Sequence, residues 1–158
     1  MTLPKVGNLA PDFKLANQDG NLISLKSFRG SHQVVVYFYP KASTPGCTTQ
    51  ACGLRDIQSD LNALNTVVLG LSPDPVSRLM KFREKQSLNF DLLSDEDHAI
   101  AEKYGVWQLK KFMGKEFMGV VRTTFVVGTD GKLKTVLSKF KTTDHHQVLL
   151  DTLSNLSA

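Results

Sequence analysis

Residues 37–56 read Tyr37-Phe-Tyr-Pro40-Lys-Ala-Ser-Thr44-Pro45-Gly-Cys47-Thr-Thr-Gln50-Ala-Cys52-Gly-Leu-Arg-Asp56 and contain both cysteines of the chain. The run before them, Val34-Val35-Val36-Tyr37-Phe38-Tyr39, is β-branched and aromatic and predicts a buried strand over 34–39. Beyond Pro45, Ala51, Leu54, Ile57, Leu61 and Leu64 recur at steps of three and four, one face of an amphipathic helix over 45–64. Thr44 suits the N-cap and Pro45 the first helical position, so Cys47 falls at the third. The free N–H groups and positive dipole end of a helix favour an anion there, and a thiolate meets that requirement. Helix N-termini lower the pKa of a thiol, and the thiolate is the nucleophile. A buried inert cysteine is the alternative reading of such a residue.

The whole chain sets the bounds. A length of 158 residues suits one domain, taken as 1–158, and the formal net charge of +4 is modest. Apolar runs of about six residues fall far short of the roughly 20 that cross a bilayer. The start, Met1-Thr-Leu-Pro-Lys-Val-Gly, lacks signal-peptide blocks, so a cytoplasmic protein is expected. Two cysteines in such a chain point to redox chemistry rather than a structural staple. Scattered lysines, grouped at 81–85 and 110–115, read as solvated faces, and neither nucleic acid nor membrane is an expected partner.

Outward from the central stretch, 12–25 predicts a hairpin turning at Gln18-Asp19-Gly20-Asn21. Val67 to Leu71 predicts a strand parallel to 34–39 through a right-handed crossover. Asp74-Pro75 opens a helix to about Gln86, and Phe90 to Leu93 is a short strand. Ser94 to Asp97 reads as a capping box for a helix ending at Tyr104, with Gly105 just past it. The segment 107–119 is poorly patterned and reads as a surface excursion. Strands 122–127 and 133–137 flank Thr129-Asp130-Gly131 as an antiparallel hairpin, and Thr143 or Asp144 caps a last helix. The order predicts an α/β, thioredoxin-like fold: a central, mostly parallel sheet flanked by helices, an N-terminal hairpin, and an insert before the last hairpin. Chemistry in open sheets sits outside the carboxyl ends of the strands, where Cys47 falls.

Pro40, Thr44 and Cys47 match the Pro-x-x-x-Thr-x-x-Cys signature, and the chain resembles the peroxiredoxins. The wider run, with Asn8-Leu-Ala-Pro-Asp-Phe, Leu92-Leu-Ser-Asp-Glu-Asp and Tyr104-Gly-Val-Trp, is similar to their bacterioferritin comigratory protein, or Q-type, branch. The resemblance implies a thiol peroxidase that reduces hydrogen peroxide and alkyl hydroperoxides. Cys47 would be the peroxidatic thiol, Thr44 would orient peroxide and sulfur, and Pro40 would shield the thiolate. Arg122, in Val121-Arg-Thr-Thr-Phe125, would be the family's arginine. Cys52 would resolve the sulfenic acid as an intramolecular disulfide. Thioredoxin is the implied reductant, with glutaredoxin as the alternative, and a monomer needing no cofactor is expected. From the residues alone, Arg122 reads first as an ordinary surface cation, Gln50 equally as a solvated helix position, and Arg55 as an ion-pair partner of Asp56 or Asp60. His145 and His146 invite a metal reading, but adjacent helical residues point about 100° apart and do not easily share one ion. A disulfide oxidoreductase lacks its Cys-x-x-Cys here, and a stoichiometric redox sensor is the remaining competitor.

Overall fold

The computed structural model of the chain describes residues 3–157. Strands β1 (Lys14–Ala16) and β2 (Leu22–Ser24) pair antiparallel as the expected N-terminal hairpin. The Asn17 side-chain oxygen holds its turn by accepting from the amides of Asp19 and Asn21, both at 3.0 Å.

Strand β3 (Gln33–Phe38) leads through a loop into helix α1 (Pro45–Asp56), then α2 (Gln58–Ala63) and strand β4 (Thr66–Ser72). β3 and β4 are parallel, with Val36 opposite Leu69 and Phe38 opposite Leu71. Helix α3 (Val76–Lys85) and strand β5 (Asp91–Ser94) follow, then α4 (Ala99–Lys103) and the strands β6 (Trp107–Phe112) and β7 (Lys115–Val120). The chain closes with β8 (Thr123–Val127), β9 (Leu133–Leu137) and α5 (His145–Ser157). The central sheet runs β5-β4-β3-β8-β9.

Successive side chains of β3 point to opposite faces and both faces are covered, which is why its sequence is continuously apolar. Val35, Tyr37 and Tyr39 pack with Cys47, Ala51, Leu54, Leu79 and Leu149 on one side. Val34, Val36 and Phe38 pack with Tyr104, Phe125 and Leu133 on the other. Full burial of each such large side chain contributes about 1.5–3 kcal/mol, so β3 anchors both layers and fixes where its carboxyl end delivers the loop to Cys47.

The thioredoxin-like architecture is as expected, with four local differences. The sheet is evenly mixed rather than mostly parallel: β3–β4 and β4–β5 are parallel, β3–β8 and β8–β9 antiparallel. A helical crossover delivers each parallel partner, whereas the exposed hairpin insert lets β8 return in the opposite sense. The helix predicted over 45–64 breaks at Ile57, which leaves helical geometry at φ −106°, ψ 14°. Leu54, Ile57 and Leu61 stay in one core across the break.

The segment 107–119 is a regular two-stranded ribbon, with Lys110 opposite Phe117 and a turn at Met113 and Gly114, both at positive φ. Leu109, Phe112, Met113, Phe117 and Met118 are all exposed, so neither face carries a core pattern for sequence to reveal. The expected capping box is also different. Ser94 donates to the Asp74 carbonyl at 2.7 Å, and the buried Asp95 carboxylate takes the amides of Ile100 and Ala101 at 3.0 and 2.9 Å.

Candidate active site

The site begins where β3 ends. The Tyr39 amide still bonds to Leu71 O at 3.1 Å, and half-buried Pro40 then turns the chain off the sheet. The Asp74 carboxylate is buried and accepts from the Ala42 amide at 2.7 Å and the Ser72 hydroxyl at 2.8 Å. Sequence reasoning assigned Asp74 to the start of the next helix; it instead pins the loop that leads to Cys47. Ser43, directly after the pinned residue, adopts φ +66°, a left-handed conformation costing about 1–2 kcal/mol for a non-glycine residue.

Thr44 occupies the N-cap and Pro45 the first turn of α1, as expected, but Thr44 makes no side-chain cap. Its hydroxyl donates to the Lys41 carbonyl at 2.8 Å. The hydroxyl proton is thereby committed, and the oxygen lone pairs remain to accept a bond. Thr48 N bonding to Thr44 O at 2.9 Å is the first helical turn, which leaves the amides of Gly46 and Cys47 without intrahelical acceptors. Cys47 is 2% exposed, beside those amides at the positive end of the helix.

Arg122, at the start of β8, reaches this turn. Its Nη1 donates to Gln50 Oε1 at 2.9 Å. A methyl group at Gly46 would lie 3.0 Å from Arg122 Nη2, so the absence of a side chain there makes room for the guanidinium. Arg122 therefore packs against the first turn of α1 rather than standing as a solvated surface cation. Gln50, read from sequence as equally a solvated position, is 1% exposed and holds it. Only the bond partner 72 residues away could have revealed that.

The hydroxyl of Tyr37 is buried beneath α1. Burial holds it protonated well above its ordinary range, with Tyr39 and the Cys47 sulfur acting in the same direction and Arg122 opposing. Tyr37 thus feels the sulfur and the guanidinium in one electrostatic field.

Cys52 is half-buried, its Sγ 3.6 Å from Gln86 Oε1, and both cysteines are free thiols. Both lie inside the intact helix α1. Arg55 pairs with Asp56 at 2.9 Å and donates to the Gln86 carbonyl at 2.7 Å, a structural role. His145 is fully buried, its Nε2 2.8 Å from Thr124 Oγ1, while His146 lies against Gly53 of α1. Burial, with His146 adding, pushes His145 down to about 4. The two rings occupy different environments, and no group of three or more metal-ligating side chains occurs among the described residues.

The arrangement supplies a sulfur nucleophile, unpaired amides, a fixed guanidinium and a hydroxyl acceptor outside the carboxyl end of β3. Residues 6–136 match the AhpC/TSA family. The chain is 54% identical over 151 residues to the putative peroxiredoxin bcp of Haemophilus influenzae, covering 96% of this chain and 97% of that protein. It is 51% identical to peroxiredoxin Bcp of Escherichia coli K12, covering 94% and 95%. The crystal structure of peroxidoxin BcpB from Mycobacterium tuberculosis is similar, with TM-score 0.85, 37% identity and coverage of 98% and 99%. So is the bacterioferritin comigratory protein of Xanthomonas campestris, described for its alkyl peroxide reduction activity, with TM-score 0.86, 31% identity and coverage of 92% of each chain.

Proposed function

Since the chain belongs to the AhpC/TSA family, as a peroxiredoxin of the bacterioferritin comigratory protein (Q-type) branch, we propose that Cys47 is its peroxidatic thiol and Cys52 its resolving thiol. The substrates are hydrogen peroxide and alkyl hydroperoxides, the latter by analogy with the Xanthomonas relative. The reductant is thioredoxin, with glutaredoxin as the alternative. The protein acts as a monomer, one domain over 1–158, in the cytoplasm, a reducing compartment that suits two free thiols. The observation that carries the reading is Cys47 buried at the start of α1 with the Arg122 guanidinium packed on Gly46 of the same turn.

In the first step the Cys47 thiolate attacks one peroxide oxygen. An S–O bond forms and the O–O bond breaks. Sulfur is oxidised by two electrons to sulfenic acid, and the departing oxygen leaves as water or alcohol after taking a proton. Negative charge moves from sulfur to the leaving oxygen, and preorganised donors stabilise it without reorganising. Arg122 and the amides of Gly46 and Cys47 are those donors. Thr44 accepts the peroxide O–H through its free lone pairs. Pro40 limits the water that would otherwise solvate the thiolate.

In the second step the Cys52 sulfur attacks the sulfenic sulfur. An S–S bond forms, the S–O bond breaks and water leaves. In an intact helix, residues five apart have Cα atoms roughly 8–9 Å apart, beyond the ~7 Å a disulfide spans. The start of α1 must therefore unwind. Thr44 gives that end no side-chain cap, a stabilising contribution of typically about 1 kcal/mol that is missing here. Opening also exposes Cys47, Gln50 and Ala51, each no more than 2% exposed, so it surrenders packing. Formation of the disulfide must offset that loss.

Coupled NADPH turnover with thioredoxin and with glutaredoxin tests the reading. Peroxide consumption that survives unchanged in Cys47→Ser overturns it.

A further inference from the structure

Lys110 lies on the exposed β6–β7 ribbon, yet its side chain does not point away into solvent. The ribbon carries three lysines. Lys111 pairs with Glu116 at 3.5 Å and is 76% exposed, and Lys115 is exposed. Lys110 is half-buried and has no carboxylate within ion-pair distance among the described residues. Its stem crosses the ribbon at Gly119, where a methyl group would lie 3.1 Å from Lys110 Cδ. Its Nζ then donates to the Val120 carbonyl at 3.0 Å. Val120 precedes Arg122 by two residues, so the ammonium is delivered to the segment that carries the guanidinium.

This is a costly place for a second cation. Burial and the Arg122 charge both push Lys110 down, and the charge that opposes them is that of Cys47. Arg122 likewise has no carboxylate partner among the described residues; its acceptor is the neutral Gln50. Two cations therefore converge: Lys110 is held at Val120, two residues before Arg122, and the Arg122 guanidinium packs on Gly46, one residue from Cys47. The buried phenols Tyr37 and Tyr39, both held protonated, also feel Cys47, and the Asp74 carboxylate on the loop before Cys47 is occupied by the Ala42 amide and the Ser72 hydroxyl. Like charges gathered without a structural counter-ion are a mark of a functional site.

We propose that Lys110 is an electrostatic positioning residue of the peroxidatic site: the ribbon supplies a second cation, guided by the bare backbone of Gly119, that stabilises the Cys47 thiolate alongside Arg122. The inference rests on Cys47 being the reactive thiol, and its test does not need peroxidase turnover.

In a Cys52→Ser background, the pH dependence of Cys47 alkylation by neutral iodoacetamide is measured by mass. Lys110→Met should move the alkylation midpoint upward by about half a pH unit and slow the reaction with hydrogen peroxide at pH 7 about threefold. Lys110→Arg should restore both, because charge rather than shape is at issue. Lys111→Met should change neither. Gly119→Ala should act in the direction of Lys110→Met and add nothing to it, since both displace the same ammonium. The difference between parent and Lys110→Met should shrink in high salt. An unchanged midpoint in Lys110→Met, or a Lys110→Arg variant no better than Lys110→Met, overturns the proposal. Loss of all peroxide reactivity in the parent would instead overturn the functional reading, and the alkylation profile would still decide Lys110.

Discussion

Arg122 donates through Nη1 to Oε1 of Gln50 at 2.9 Å, tying the start of β8 to the second turn of α1 across 72 residues of chain. The bond orients the guanidinium against Gly46, one residue from Cys47. Removing the cation should raise the barrier for peroxide reduction by about 2–4 kcal/mol, as for a lost oxyanion-hole donor. Gln50→Leu keeps the bulk but loses the acceptor, and should slow the same step by a smaller factor, on the order of tenfold. Stopped-flow rates for both variants and the double variant check this. Gln50→Leu should add little once Arg122 is Ala, because the two act as a unit.

The two thiols should separate by kinetics. Cys47→Ser should lose peroxide reduction altogether. Cys52→Ser should still reduce one equivalent of peroxide per chain, then stall in thioredoxin-linked assays. Its sulfenic acid, with no resolving partner, should proceed to sulfinic acid at lower peroxide concentration. Intact-mass measurement after graded peroxide exposure reads that directly.

Helix α1 should be protected from hydrogen exchange in the dithiol and exposed in the disulfide. Amides 48–53 are the ones to watch, since both cysteines lie within the single helix Pro45–Asp56. Equal protection in the two redox forms, with the disulfide verified by mass, would show that the bond forms without unwinding.

His145 makes stability depend on pH. Its pKa in the folded protein is depressed to about 4, against about 6.5 in the unfolded chain. The unfolded state therefore binds the proton first, and stability present above pH 6.5 is lost as pH falls toward 4. The loss between pH 7 and pH 5 should be about 2 kcal/mol. Urea unfolding across that range should show a shallower dependence in His145→Gln than in the parent.

Gly53 is where α1 meets α5. A methyl group there would lie 2.6 Å from Nδ1 of His146. Gly53→Ala should therefore destabilise the fold, although Ala is the better helix former by about 1 kcal/mol. In a His146→Ala background the same substitution should stabilise, because the obstruction is gone and the propensity gain remains. Thermal melts of the four proteins in this cycle check the change of sign.

Much was legible in local sequence, because local patterns need only nearest neighbours along the chain. The apolar run 34–39 specified a buried strand, Gly20 and Gly131 marked turns that both adopt positive φ, and Thr44-Pro45 placed Cys47 in the first turn of a helix. Tertiary structure decided what those elements touch. Ile57 ends α1 by leaving helical geometry, yet Leu54, Ile57 and Leu61 still share one core across that break. The ribbon over 107–120 was invisible because only its ends, Trp107 and Val120, reach the core and the alternation between them is exposed. Asp74 at the Ala42 amide, Gln50 at Arg122 and Lys110 across Gly119 are pairings set by sheet register and packing. Hydrophobic periodicity says which face of an element turns inward, but not which polar partner waits there. The thiol and its helix start were therefore readable from residues 37–56, while the charges around that thiol were assembled by the fold.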